Sequence, residues 1–373
     1  MKQLSDTLRC DVGIITWHYY TNVGSNLQAY ALYKIIEDMG YSCEFINYRR
    51  NTSQSGLRKL SKDITGTIDA MLPGTIPSRI RVQSYYFQSH FIKQSPLLAK
   101  DELTECNSWY KMLLCGSDQI WAPNVLDTAY LLDFASDSIP KCSYASSIGL
   151  PQIPAELQQL YRENLQRFNK ITVREKQGAA LLKSMLQKEI DWVLDPTFLV
   201  EQADWKKIER LYQIPKSRYL FCYLLGNNSE HRAWIDELAK NSGLKVLCMS
   251  DQPEDKRDGW MHMRHVGPRE FLGYIDKSEF VVTDSFHGMA LSINMNKDFY
   301  VLERFKSDDV ICQNSRIYNI IESFELESRV MKTAKTMCES VNWETVNNRL
   351  QRERTRSRAL LNKMLTQNVQ RIS

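Results

Sequence analysis

The sequence predicts an α/β protein of two doubly wound, Rossmann-like domains facing across a cleft, followed by a helical C-terminal tail. Three observations carry this. At 373 residues the chain exceeds what one ordinary core holds, so two domains are expected. Short apolar, often β-branched runs alternate with segments of helical periodicity in two blocks, before and after residues 196–216. The stretch 280–302 reads as a buried strand, a polar turn, a helix start and a second strand, the pattern of a parallel βαβ unit.

The elements follow in order. Residues 12–15 form a strand, 16–25 a loop, and 26–39 a helix with Leu27, Tyr30, Ala31, Ile35 and Met39 largely on one face. Gly40 stops that helix, and residues 43–46 begin the next strand. Residues 50–108 are basic and cut into short amphipathic pieces by Gly56, Gly66, Pro73-Gly74 and Pro77. Strands resume at 112–115, ending in Gly116-Ser117-Asp118-Gln119, then at 142–145 and at 171–173, which closes on Arg174. A helix over 176–188 and a strand at 192–194 follow, stopped by Asp195-Pro196. The second block has strands at 219–225, 244–249, 280–282 and near 300, with helices at 229–241, after Gly267-Pro268, after Ser285, and at 315–323. Residues 341–367 are a long basic helix. The expected domains are 1–200, with the basic insertion 50–108, and 201–330, with 331–373 as a helical extension.

Composition narrows the class. Hydrophobic content of 43% and charged content of 25% are ordinary for a globular protein, and a net charge of +4 does not suggest a nucleic-acid binder. No apolar run approaches the roughly 20 residues of a membrane span, and residues 1–6 lack a secretory signal. Nine scattered cysteines without a C-x-x-C pair fit reduced, buried thiols. A cytoplasmic protein is expected.

His287 and Gly288 fall in the first turn of a helix beyond a strand's carboxyl end, where Asp284 and Ser285 supply capping chemistry. Free N–H groups there attract anions, so His287 is a catalytic candidate, against the plainer reading that it only helps cap its helix.

Four segments together resemble the polysaccharide pyruvyl transferase family. They are Ile14-Ile15-Thr16 through Asn22, Gly24 and Leu27-Gln28-Ala29-Tyr30-Ala31-Leu32; Gly116-Ser117-Asp118-Gln119-Ile120-Trp121; Val173-Arg174-Glu175-Lys176; and Thr283-Asp284-Ser285-Phe286-His287-Gly288. Ser315-Arg316-Ile317 is a weaker fifth. The resemblance implies the two-domain fold of GT-B glycosyltransferases. It also implies transfer of an enolpyruvyl unit from phosphoenolpyruvate to a sugar, as a cyclic ketal on two hydroxyls. Arg174 and His287 then serve the donor, with Arg304 or Lys306 as a further basic residue; residues 50–108 match no part of the family pattern, so acceptor recognition is not carried over, and the first domain is expected to be the acceptor side.

The chemistry fits these residue types. Phosphoenolpyruvate carries a carboxylate and a phosphate, which a guanidinium fork engages bidentately, so Arg174 and the helix start at Ser285 and Gly288 are expected to bind it. Ketal formation needs a proton on the methylene carbon, and His287 as general acid would supply about 10²–10⁴-fold in rate. Asp118 is the expected base; alternatively it caps the turn near Pro123. The acceptor is expected on His18, Asn22, Gly24, Asn26 and Ser117, although Asn26 could instead be the N-cap of its helix.

Other chemistries lack their signatures. There is no G-x-G-x-x-G, P-loop or G-x-S-x-G pattern. His262-x-x-His265 has metal-like spacing without an acidic or Cys partner, so neither a metal nor a cofactor is expected. The expected partners are phosphoenolpyruvate and a sugar or lipid-linked saccharide acceptor. The basic stretches Arg58-Lys59-Leu60-Ser61-Lys62, Arg79-Ile80-Arg81 and 352–363 are candidates for docking at the cytoplasmic membrane face. Two rivals share the architecture: a nucleotide-sugar glycosyltransferase, with Glu303 as a poor ribose ligand, and a non-catalytic subunit of polysaccharide assembly.

Overall fold

Residues 8–19, 21–49, 76–249, 255–263, 266–305 and 314–369 are described by a computed structural model of the chain. The first lobe contains β1 (Cys10–Ile15), α1 (Val23–Asp38), β2 (Cys43–Phe45), α2 (Ile76–Phe91), β3 (Tyr110–Cys115), β4 (Lys141–Ser146), α3 (Ala155–Leu165), β5 (Lys170–Val173), α4 (Lys176–Leu186) and β6 (Asp191–Trp192). Two short helices, α5 (Pro196–Leu199) and α6 (Gln202–Ile208), lead to the second lobe. There the order is β7 (Tyr219–Tyr223), α7 (Ser229–Ser242), β8 (Lys245–Cys248), β9 (Trp260–His262), α8 (Pro268–Lys277), β10 (Phe280–Thr283), α9 (Phe286–Asn294), β11 (Phe299–Leu302), α10 (Ser315–Phe324) and β12 (Val330–Met331). The tail is one helix, α11 (Trp343–Val369).

Each lobe holds one six-stranded parallel sheet, ordered β2-β1-β3-β4-β5-β6 and β12-β11-β10-β7-β8-β9. Strands β7, β10 and β11 are buried at every residue, which explains why they read as apolar runs rather than as alternation. Strand order reverses between β1 and β3 in one sheet and between β7 and β10 in the other. Those are the points where an open α/β sheet leaves a crevice at its carboxyl edge. The cleft forms where the two crevices meet.

Several elements differ from expectation. Helix α1 starts at Val23, not Asn26, because the Asn22 side chain caps it by accepting from Gly24 N and Ser25 N at 2.9 and 3.2 Å. It is buried on nearly every side, since it lies between the lobes: Val23 and Leu27 join one apolar cluster with Phe271, Ile275 and Met289 of the second lobe. Within the insertion the pieces from Ile76 form the single helix α2, while Arg58-Lys59-Leu60-Ser61-Lys62 lies outside the described residues. Helix α3 and the short edge strands β9 and β12 carried no sequence signal strong enough to place them.

Helix α11 straps the lobes together. Ser357 Oγ accepts from Leu194 N at 3.0 Å, and Arg354 donates to Phe198 O at 2.7 Å and to Asn294 Oδ1 of α9 at 3.0 Å. Arg356 donates to Trp192 O at 2.8 Å and its guanidinium lies over that indole. Two cations of the basic stretch 352–363 thus face protein, which removes them from any lipid-facing surface. Among the described residues no helix is long and apolar enough to cross a membrane, and every cysteine except the half-buried Cys338 is a buried free thiol.

Arg354→Ala would strip the cation from two buried acceptors in different parts of the fold. A loss of about 2–4 kcal/mol is expected, read from the urea midpoint with an unchanged m-value.

Candidate active site

The cleft wall is built from loops at the strand ends. The first lobe contributes the segment after β1, Asp118 after β3, Arg174 after β5 and Asp195 after β6. The second lobe contributes Ser285 and His287 at the start of α9, Arg304 after β11, and Arg316 on α10. They surround a cavity of about 400 Å³ whose lining includes Asn22, Ser25, Asp118, Ser285, His287 and both of those arginines.

Turn chemistry fixes the second-lobe side. Ser285 caps α9, its Oγ accepting from Gly288 N at 3.4 Å. Asp284 does not cap; its carboxylate accepts from Leu225 N and Gly226 N at 2.7 and 2.8 Å, tying the loop after β7 to the end of β10. His287 therefore projects from a pinned turn toward the first lobe. There Gly24 meets it so closely that a Cβ on Gly24 would lie 2.5 Å from the imidazole Nδ1. No residue but glycine fits.

Asp195 is the centre of the arrangement. It is 1% exposed, and its Oδ1 accepts from Thr197 N and Thr197 Oγ1 at 3.0 and 2.8 Å. Its Oδ2 accepts from Ser117 Oγ at 2.8 Å and from Arg174 Nη1 at 3.1 Å, with His287 Nε2 at 3.7 Å. Burial alone would raise this carboxyl, but the imidazole of His287, the Arg174 charge and the Thr197 N–H outweigh it and hold it well below the usual carboxylate range.

Arg174 is fully buried among Asp195, Asp118 at 3.6 Å and Glu175 at 3.4 Å. Burial disfavours its charge, and the three carboxylates more than compensate. Its guanidinium sits 4.5 Å from the centre of the Phe286 ring, one layer behind the cavity wall. The cations at the wall itself are Arg304 and Arg316. Burial and the like charges of Arg174 and Arg304 push the Arg316 guanidinium down, to about 9, so at neutral pH it stays protonated in a crowded positive field. The Nε of Arg304 and the Nε2 of His287 are buried with no hydrogen-bond partner among the described residues. Such a wall favours an anion.

Asp118 adopts a left-handed φ of 78°, which Asp tolerates better than most residues. Its Oδ2 accepts from Ser25 Oγ at 2.6 Å and its Oδ1 from Gln119 N at 2.8 Å. It lines the cavity and accepts from protein donors at the same time, but it does not cap the turn at Pro123–Val125, whose N-cap is Ala122 without a side-chain bond.

The expected acceptor residues fare differently. His18, Asn26 and Ser117 are buried and turn away from the cavity, which corrects their assignment. His18 bonds through Nδ1 to Thr16 O and stacks near Phe45, and burial pushes its imidazole down to about 4. Asn26 donates to Asn22 O and accepts from Gln88, so it is not the N-cap either. Ser117 serves Asp195 and Ala145 O. The side chains on either side of His18, Trp17 and Tyr19, line the cavity, while a bend closed by His18 N on Thr16 O turns the imidazole into the interior. Asn22 and Gly24 are at the cleft as helix cap and His287 neighbour. Lys306 and His265 lie outside the described residues. The Glu303 carboxylate is taken by the Tyr318 hydroxyl.

Two facing parallel sheets with a polar cleft at their switch points define a two-lobed, GT-B-like architecture. The chain belongs to the polysaccharide pyruvyl transferase family, whose model matches residues 22–304. It is therefore a pyruvyl transferase of polysaccharide biosynthesis with a saccharide acceptor. None of the curated proteins matches it. Among solved structures, one assigned as a UDP-N-acetylglucosamine 2-epimerase from Listeria monocytogenes shares 12% identity over 96% of this chain and 90% of its own, with a TM-score of 0.53. The UDP-GlcNAc 2-epimerase of Neisseria meningitidis, bound to UDP-GlcNAc, shares 10% over 96% and 99%, with a TM-score of 0.51. At that identity the likeness is one of fold, and it places the chain in the GT-B-like class.

Two outcomes follow from the geometry. Gly24→Ala should keep α1 helical, since alanine is the better helix former by about 1 kcal/mol, yet displace His287, lower Tm and lower kcat on the order of 10²-fold; unaltered helical circular dichroism with reduced turnover is the readout. Because the Asp195 carboxyl is depressed, its contribution is present above the ordinary value of 3.8 and lost as pH falls below it. Asp195→Asn should therefore lower Tm at neutral pH and flatten its decline between about pH 5 and pH 2, followed by thermal scans across that range.

Proposed function

We propose that the protein transfers the enolpyruvyl unit of phosphoenolpyruvate onto two hydroxyls of one sugar in a polysaccharide or lipid-linked precursor, releasing phosphate. The observation that carries this reading is the convergence of His287, Arg304 and Arg316 on one cavity, with Asp118 across from them on the other lobe. Phosphoenolpyruvate is small and multiply anionic, and several fixed guanidinium forks suit its phosphate and carboxylate. Arg174 supports this set from behind Phe286, as the cation that keeps Asp118, Asp195 and Glu175 ordered.

In the reaction the first acceptor hydroxyl adds to C2 of the enolpyruvyl group while C3 takes a proton and becomes a methyl. His287 gives that proton, and Asp118 accepts the one leaving the hydroxyl. The second hydroxyl then displaces phosphate from the same carbon, its proton returning to the imidazole, while Asp118 gives its proton to the departing phosphate and the ketal ring closes. Donor forks worth binding energy and an imidazole acting in the transition state separate in kinetics: the first set KM, the second kcat.

The test is phosphate release from phosphoenolpyruvate across lipid-linked galactose, glucose and mannose acceptors. Acceptor-dependent release is expected with at least one. His287→Ala should lower kcat by about 10²–10⁴-fold, and Arg316→Ala should raise KM for phosphoenolpyruvate at least about tenfold. Release from none of the acceptors, or full turnover by His287→Ala, overturns the proposal.

A further inference from the structure

The cavity is chemically two-sided. Its described lysine and arginine lining consists of Arg304 and Arg316, both from the second lobe. The first-lobe side presents Trp17, Tyr19 and Tyr130 together with the carboxylates of Asp118 and Asp127. An anionic donor has no reason to sit against two carboxylates. A neutral polyol with one apolar face does: its C–H surface covers an aromatic ring, and its hydroxyls donate to carboxylate oxygens.

This side is also rigid, as a recognition surface should be. Tyr130 meets Trp17 edge-on, with ring centres 6.4 Å apart, and meets Tyr48 at 6.1 Å. Trp121 Nε1 holds the Tyr130 carbonyl at 2.8 Å. Asp127 is fixed by Tyr48 Oη at 2.7 Å on Oδ2 and by Ala129 N at 3.1 Å on Oδ1, with Lys100 Nζ 3.5 Å away. A carboxylate has about four acceptor positions, so these contacts orient Asp127 and leave it capacity toward the cavity.

From this we infer that the wall of Trp17, Tyr130 and Asp127 is the acceptor subsite, and that it takes a neutral hexopyranose in preference to a uronic acid. The inference rests on the pyruvyl-transfer reading for the role of the sugar, but the subsite itself is defined by its own lining. Asp118 and Asp127 supply the discrimination, because a sugar carboxylate placed between them meets like charge on both sides. Trp17 supplies the apolar contact.

The full chain, without donor, is titrated with methyl β-galactopyranoside, methyl β-glucopyranoside, methyl α-mannopyranoside and the corresponding methyl uronides, and binding is read by saturation-transfer NMR. At least one neutral glycoside is expected to bind, and its uronide at least about tenfold more weakly, a gap of about 1.4 kcal/mol. Trp17→Ala should weaken the neutral glycoside by a similar factor and Trp17→Phe by less. Asp127→Asn, which keeps the shape of the site, should narrow the gap to the uronide. The thermal shift given by phosphoenolpyruvate should be unaltered in all three variants. No neutral glycoside bound by the wild type, equal affinity for the uronide, or unweakened binding by Trp17→Ala would overturn the subsite. Glycoside binding that obeys these rules in a protein unshifted by phosphoenolpyruvate would instead retain the subsite and reject the donor.

Discussion

The site is organised by one buried carboxylate. Asp195 gathers Ser117 from the end of β3, Arg174 from the end of β5, and His287 from the start of α9 within 3.7 Å. A charge with almost no solvent exposure is tolerable only when surrounded by donors and cations; here Ser117, Arg174 and Thr197 donate from the first lobe and the linker, and the His287 imidazole approaches from the second. The register between the two sheets is consequently an electrostatic matter as much as an apolar one. Moving the second sheet by a residue would take the imidazole away from that carboxylate while its first-lobe donors stayed in place. The order of the cleft and the solvation of Asp195 are the same problem.

Around that centre the charges form layers. Arg174 balances three carboxylates out of reach of water, Phe286 separates it from the cavity, and Arg304 and Arg316 stand at the wall beyond the ring. A cation shielded by its own carboxylates cannot also offer full strength to a ligand, whereas the outer pair crowd each other and gain from a negative guest. The division separates a scaffolding guanidinium from working ones, and it arises because three carboxylates of the first lobe close on the inner position.

Much of this was legible from the sequence, for identifiable reasons. Parallel strands buried on both faces give short apolar runs, so the strands of both sheets could be placed, and Gly and Pro marked their ends. The edge strands β9 and β12 escaped because two or three residues give no periodicity. Asp195 read as a stop before Pro196, and it does cap the short helix there through Thr197 N; nothing in a local pattern shows that its other oxygen reaches two further loops. His18 misled because it lies in the loop at the end of a strand. A bend and the packing of the imidazole against Phe45, neither visible in local composition, turn it inward while Trp17 and Tyr19 face the cleft. Arg316 was visible only as a faint motif because its partners are distant in sequence.

The apolar cluster that runs from Val12 and Leu27 through Phe198 to Phe271 and Met289 bears on how the enzyme exchanges its ligands. Swinging the lobes apart as rigid bodies would return several of these side chains to water, at about 1.5–3 kcal/mol each, while α11 holds both halves from outside. A hinge of that kind is expensive here. Among the described residues of the cavity, Tyr19 and Asn22 are only partly covered, so rotation of such side chains costs far less than separating the lobes.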